Sequence, residues 1–173
     1  TALRERLVAS YAADHRGYHD VRHLSEVLDR LEALLALPET AGVDRDAVVL
    51  AAWFHDAVYD GRPDDEERSA ALAESTLAAA GVPRSLVAEV ARLVRLTHDH
   101  RPEADDVAGQ VLCDADLAIL AADRERYDEY VNDVRREYAH LDDQTFRTGR
   151  AAVLRALLDK PTLFHTAFAR DAW

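Results

Sequence analysis

The stretch 47–60, AVVLAAWFHDAVYD, decides how this chain is read. Its apolar run reads as a core helix, and at the end of that run stand His55 and Asp56, two good metal ligands back to back. Burying a charged carboxylate beside an imidazole is costly unless something neutralises the pair, and a divalent cation does so. Consecutive helical residues point about 100° apart, so both reach one ion only if it sits beyond the last turn.

Upstream, Leu24, Val27, Leu28, Leu31, Leu34 and Leu35 recur at helical spacing from Val21, and Pro38 and Gly42 end that helix. His23 lies on its core-facing side. Alone it reads as a hydrogen-bonded core histidine; beside His55-Asp56 it reads as a third ligand. His19, four residues earlier, shares that face and is placed to order the pocket or meet substrate. Asp44 is suited to cap the helix that carries His55 and Asp56.

Downstream, residues 59–64 form a loop, and a helix from Asp65 to Ala80 stops at Gly81. Pro83 fits the first turn of the next helix, through Leu86, Val90, Leu93 and Val94. The polar segment 98–106 reads as a loop carrying His98 and His100, which can bind a second ion, contact a phosphate or protonate a leaving group. A helix from Val111 to Leu120 follows, with Asp114 and Asp116 near its start. Asp116 is favoured as the fourth ligand, and Asp114 as a cap or a support for the ligands. Tyr127 to Tyr138 and Phe146 to Leu158 mark two more helices, and the tail holds a short one. The expectation is one all-α domain over 1–173, a bundle of about seven to eight helices, with its motif-bearing core at about 11–121.

The chain has 173 residues, suited to a single domain with a substantial core. Hydrophobic residues make up 49%, near the globular norm. A net charge of −12 repels the backbone of long nucleic acids but leaves room for a small phosphorylated substrate beside a bound cation. No apolar stretch approaches the roughly 20 residues of a membrane span, and no leader pattern opens the chain, so a cytoplasmic protein with no membrane partner is expected. Cys113 is the one cysteine, which excludes an internal disulfide and a cysteine-cage zinc site. Mixed imidazole and carboxylate ligands suit manganese, iron, zinc, nickel or cobalt. The Ala-rich helices suit packing against a second copy, hence a possible homodimer.

His23, His55-Asp56 and Asp116 resemble, in order and spacing, the HD superfamily of metal-dependent phosphohydrolases. A closer resemblance is to bacterial predicted HD hydrolases, through Arg16, Tyr18, His19, Asp20 and His23, then His55, Asp56 and Tyr59, then Asp65, Glu66, Ser69 and Ala70. Asp stands at 20 and 65 where that pattern has Asn. The resemblance covers roughly 11–121. It implies an all-α fold, one metal held by His23, His55, Asp56 and Asp116, and hydrolysis of a phosphoester. Asp60 is similar to the last acid of the H-D-x-x-E-D block of alarmone hydrolases, in which Tyr59 replaces the preceding acid.

The expected mechanism is attack by a metal-activated water on a small phosphoester such as a nucleotide. Asp56 would orient the water, Asp60 or Glu66 would relay its proton, and Arg16, Arg62 or Arg101 would neutralise the phosphate. The alternative is a non-catalytic module that holds metal and nucleotide without turnover. A carboxylate-bridged di-metal bundle ranks third, because such sites need paired Glu-x-x-His helices and the chain carries no such repeat.

Overall fold

The computed structural model describes residues 2–173 and is all-helical, with no strand among the described residues. Nine α-helices follow one another: α1 (Ala2–Tyr11), α2 (Val21–Leu35), α3 (Arg45–Phe54), α4 (Asp65–Ala79), α5 (Arg84–Leu96), α6 (Val107–Leu117), α7 (Arg124–Glu137), α8 (Asp143–Leu158) and α9 (Ala167–Ala172). Short 3-10 turns occupy Pro38–Thr40 and Ala118–Ala121. The helix beyond the expected seven or eight is α1, which has almost no amphipathic period and sends only Leu7 and Tyr11 into the interior. None of the described helices is long and apolar enough to cross a membrane.

The main core lies between α2, α3, α4, α5 and α6. Val27, Leu31 and Leu34 of α2 meet Val48 and Phe54 of α3, Val90, Leu93 and Val94 of α5, and Leu112 of α6. These are the positions that helical spacing marks, because a stripe repeating every three to four residues presents one face to its neighbours. Capping fixes the helix ends. Asp44 accepts the backbone N–H of Ala47, and Gly81, with φ +78°, turns the chain out of α4 in a conformation that only glycine adopts readily.

Asp20 and Asp65, the two departures from the family-like pattern, both hold turns. Asp20 caps α2 by accepting from Arg22 N and His23 N, and Asp65 accepts from Asp60 N and Arg62 N. Each role needs an acceptor oxygen, which the Asn of the pattern also has.

The start of α6 corrects one expectation. Asp106 accepts from Gly109 N, so the helix begins at Val107 rather than Val111. Asp114 and Asp116 therefore lie in its last turn, where an acid does not cap. Asp114 is fully buried and accepts the backbone N–H groups of both His165 and Thr166, each at 2.7 Å. It fastens the segment that leads into α9, whose Ala169 packs with Phe164 and Leu117. Asp114→Ala leaves two N–H donors without their acceptor. The expected outcome is rapid cleavage within 159–173 in limited proteolysis while the remainder resists; unchanged resistance of that segment would refute the assignment.

Candidate metal centre

Three helix ends converge on one point. His23 comes from the first turn of α2, held there by the Asp20 cap; His55 and Asp56 come from the turn that closes α3; Asp116 comes from the last turn of α6. The His23 Nε2 lies 3.2 Å from His55 Nε2, 3.3 Å from Asp56 Oδ2 and 3.2 Å from Asp116 Oδ1. His55 Nε2 lies 3.1 Å from Asp56 Oδ2 and 3.5 Å from Asp116 Oδ1. Neighbouring donors on one ion, each roughly 2.0–2.2 Å from it, stand about 2.9–3.6 Å apart in tetrahedral or octahedral geometry. All five separations fall in that window. His23, His55 and Asp56 form a group that could hold a metal ion, and Asp116 Oδ1 adjoins both imidazoles of that group.

The donor chemistry fits a cation. His55 Nδ1 lies 2.8 Å from the Ala52 carbonyl oxygen, which can only accept, so Nδ1 carries the hydrogen and Nε2 faces the cluster. Two imidazole nitrogens facing each other at 3.2 Å need a proton or a metal between them. The electrostatics make the same demand. Burial by itself would depress His23, but hydrogen bonds to Asp116 and Asp56 overcome it and raise its pKa to about 9. Burial works the same way on His55, and the Asp56 carboxylate overrides it to hold the imidazole well above its ordinary value. Burial would raise Asp56 and Asp116, yet the positive charge on His55 holds both well below the carboxylate range. Without a metal the cluster takes up protons as its source of positive charge.

The centre opens to one side. The imidazoles are buried, with His23 and His55 side chains 2% and 1% exposed, whereas Asp56 and Asp116 keep 14% and 13%. Asp116 forms part of the floor of a cavity of about 670 Å³ that also meets His19, Glu66, His98 and His100. His100 sits at φ +50°, an uncommon conformation for a non-glycine residue, and its Nε2 lies 2.8 Å from Asp116 Oδ2. It therefore orients the Asp116 carboxylate. His98 Nδ1 lies 3.1 Å from Glu66 Oε2 on the cavity wall. Arg62 and Arg101 stand at the same cavity.

Two expected site residues have other work. Asp60 is about half exposed and ion-paired with Arg68 at 2.6 Å, so it is held at the surface rather than beside the cluster. Arg16 is buried, and its Nη1 donates to the carbonyls of His19 and Asp56, each at 2.7 Å, while Nη2 donates to that of Ala57. Its guanidinium sits over the rings of Tyr11 and Tyr59. Arg16 thus locks the turn carrying Asp56 to the loop carrying His19, and it does not face the cavity. Arg16→Ala strips three carbonyls of a charged donor, and the expected loss is about 3 kcal/mol of unfolding free energy in urea titration. A loss under 1 kcal/mol would show that the clamp contributes nothing.

Two groups outside the sequence motifs complete the surroundings. Glu137, at the end of α7 and 3% exposed, accepts from the backbone N–H groups of Gly17, Tyr18 and His19 and contacts His19 Nδ1 at 2.9 Å. The approach is close: a Cβ at Gly17 would lie 2.2 Å from the Asp133 carbonyl oxygen, so only glycine fits there. His19, so held, stacks on Tyr59 at 4.0 Å. Lys160, the single lysine, donates from Nζ to the carbonyls of Asp99 and His100 and so braces the turn that aims His100. No local pattern marks either residue; only the rarity of lysine in this chain set Lys160 apart.

Family models, curated proteins and solved structures all fail to match this chain.

Proposed function

We propose that this chain is a metal-dependent phosphohydrolase of the HD kind, acting on a small phosphoester. The observation that carries the reading is the meeting of His23, His55 and Asp56 atoms at 3.1–3.3 Å, with Asp116 Oδ1 at 3.2 and 3.5 Å from the two imidazoles and its residue on the wall of a cavity with cationic side chains. The resemblance of His23, His55-Asp56 and Asp116 to that family supports it.

His23, His55, Asp56 and Asp116 would hold one divalent transition metal. A bound ion would supply acidity, lowering the pKa of its water towards about 7. The protein side does the rest. Asp116 lines the cavity, and Asp56, 14% exposed at the same cluster, is assigned to accept a hydrogen bond from an attacking water. His100 holds Asp116 in register. His19, anchored at Nδ1 by Glu137, would meet a phosphate oxygen as an imidazolium donating from Nε2. The Glu66–His98 pair takes the place of Asp60 as the proton route, since it stands on the cavity wall and Asp60 does not. Arg62 and Arg101 neutralise the incoming phosphate.

The test is phosphate release from a panel of nucleotides and simple phosphoesters, with each of Mn, Fe, Zn, Ni and Co supplied in turn and His55→Ala as control. Metal-dependent release by the wild-type chain alone supports the reading. Equal release by both proteins, or stoichiometric metal with no release from any ester, rejects catalysis and leaves a metal-holding module.

A further inference from the structure

Helix α8 carries apolar side chains at helical spacing, yet none of its 16 residues is buried. The reason is beneath it: α8 stands off the rest of the bundle over open space. Val153, Ala156 and Leu157 line the large cavity, facing Ile119 and Leu120 across it. A second cavity of about 200 Å³ adjoins it between α7 and α8, walled by Val134, Tyr138, Phe146 and Val153. Arg150 and Val153 line both spaces, and Arg150 donates to the Tyr130 hydroxyl while its guanidinium lies over that ring at 5.1 Å.

The two ends of this combined space differ in chemistry. Towards the His/Asp cluster stand His19, His100, Arg62, Arg101 and Lys160. Beneath α8 the walls are aliphatic and aromatic. Among the described residues, neither cavity is lined by Asn, Gln or Ser; the Thr97 and Thr145 hydroxyls on their walls already donate to Val94 O and Asp142 Oδ2, and Glu66 pairs with His98. Most nearby polar groups are already satisfied, the buried Tyr18 hydroxyl being the exception. Asp65 is taken by backbone N–H groups and Arg68, Tyr59 and Tyr138 share their hydroxyls, and Tyr130 takes Arg150. A sugar or base placed under α8 would bury polar groups without partners.

The geometry points to a phosphate monoester with an apolar or aromatic alcohol portion as the substrate class, its phosphate at the His19–His100 end and its body beneath α8. This rests on the phosphohydrolase reading and narrows it away from nucleotides. The reaction is plain hydrolysis: water oxygen bonds to phosphorus, the phosphorus–ester oxygen bond breaks, and the leaving alcohol takes a proton. Val153 and Leu157 are specificity residues in this assignment.

The experiment compares kcat/KM of the Mn-loaded full chain for 1-naphthyl phosphate and hexyl phosphate with that for glycerol 1-phosphate and adenosine monophosphate. Binding of non-hydrolysable 1-naphthylmethylphosphonate is measured by calorimetry alongside. A preference of roughly tenfold or more for the two apolar esters is expected, since one well-placed apolar group is worth that much. Val153→Asp and Leu157→Asp should each raise KM for 1-naphthyl phosphate by about tenfold and weaken the phosphonate equally. Val153 lies half exposed, so its variant is expected to fold, which circular dichroism checks. Equal or better turnover of glycerol phosphate or the nucleotide overturns the apolar assignment and leaves the phosphohydrolase standing. Phosphonate binding that Val153→Asp abolishes, with no ester hydrolysed, supports the apolar site and overturns the hydrolase. Neither turnover nor phosphonate binding overturns both.

Discussion

His55→Ala is expected to emerge from purification without its stoichiometric metal and to release phosphate at least about 1,000-fold more slowly than the wild-type chain. The size follows from what an ion would supply: bringing the pKa of water down to near 7 raises hydroxide at neutral pH by far more than that, so even partial loss is large. Ligand geometry gives the same expectation, because His55 Nε2 is within 3.5 Å of the other three donor atoms and its removal opens the set on every side. Metal affinity also depends on pH. Ligation requires neutral imidazole, and His23 free of metal titrates at about 9. Binding near neutrality therefore expels protons, and the apparent affinity rises with pH through that range. Calorimetry in buffers of different ionisation enthalpy measures the release. Full metal content in the variant, measured by elemental analysis, would end the four-ligand assignment.

The second large effect is expected at Glu137. Its buried carboxylate accepts from three successive backbone N–H groups and from His19, so Glu137→Ala leaves four donors stranded in the interior. Removing one side of a buried charged pair costs about 3–5 kcal/mol, and urea denaturation of the metal-free protein reads it directly. Glu137→Gln keeps one acceptor oxygen and should lose about half as much. Burial alone would raise the Glu137 pKa, but the hydrogen bond and charge of His19, with the backbone N–H groups, hold it below the ordinary glutamate range. Stability from this carboxylate is therefore complete above about pH 4.3, the ordinary value, and disappears as pH falls through the lowered folded value. The gap between wild type and Glu137→Gln should be constant at neutral pH and close on acidification. A loss below 1 kcal/mol in Glu137→Ala would show that the loop holds itself.

Helices α2 to α5 could be read from the chain because local signals mark them: a stripe of leucine and valine in α2 and α5, the Asp44 cap of α3, Gly81 after α4 and Pro83 before α5. The convergence of His23, His55-Asp56 and Asp116 was legible for the same reason, since buried titratable residues on core helices have few places to go. Helix α1 was not legible, because a helix with no apolar stripe differs little from a loop in sequence. The start of α6 was missed because Asp106 follows Asp105 in a polar run that hides which acid caps. Arg16 and Asp60 illustrate a different limit. An arginine reads the same whether it grips carbonyls or phosphate, and an acid near a site reads the same whether it faces water or a distant Arg68. Glu137 and Asp114 act on backbone N–H groups far along the chain, and no local pattern records such a partner.

Glu137 meets the Gly17–His19 loop across 118 to 120 positions of chain. Contacts that distant in sequence carry a larger loop-closure cost than local ones. During synthesis His23, His55, Asp56 and Asp116 are all translated before α7 exists to brace His19. A chain that ended before Glu137 would carry all four of these side chains but lack the carboxylate that orients the His19 imidazole beside them.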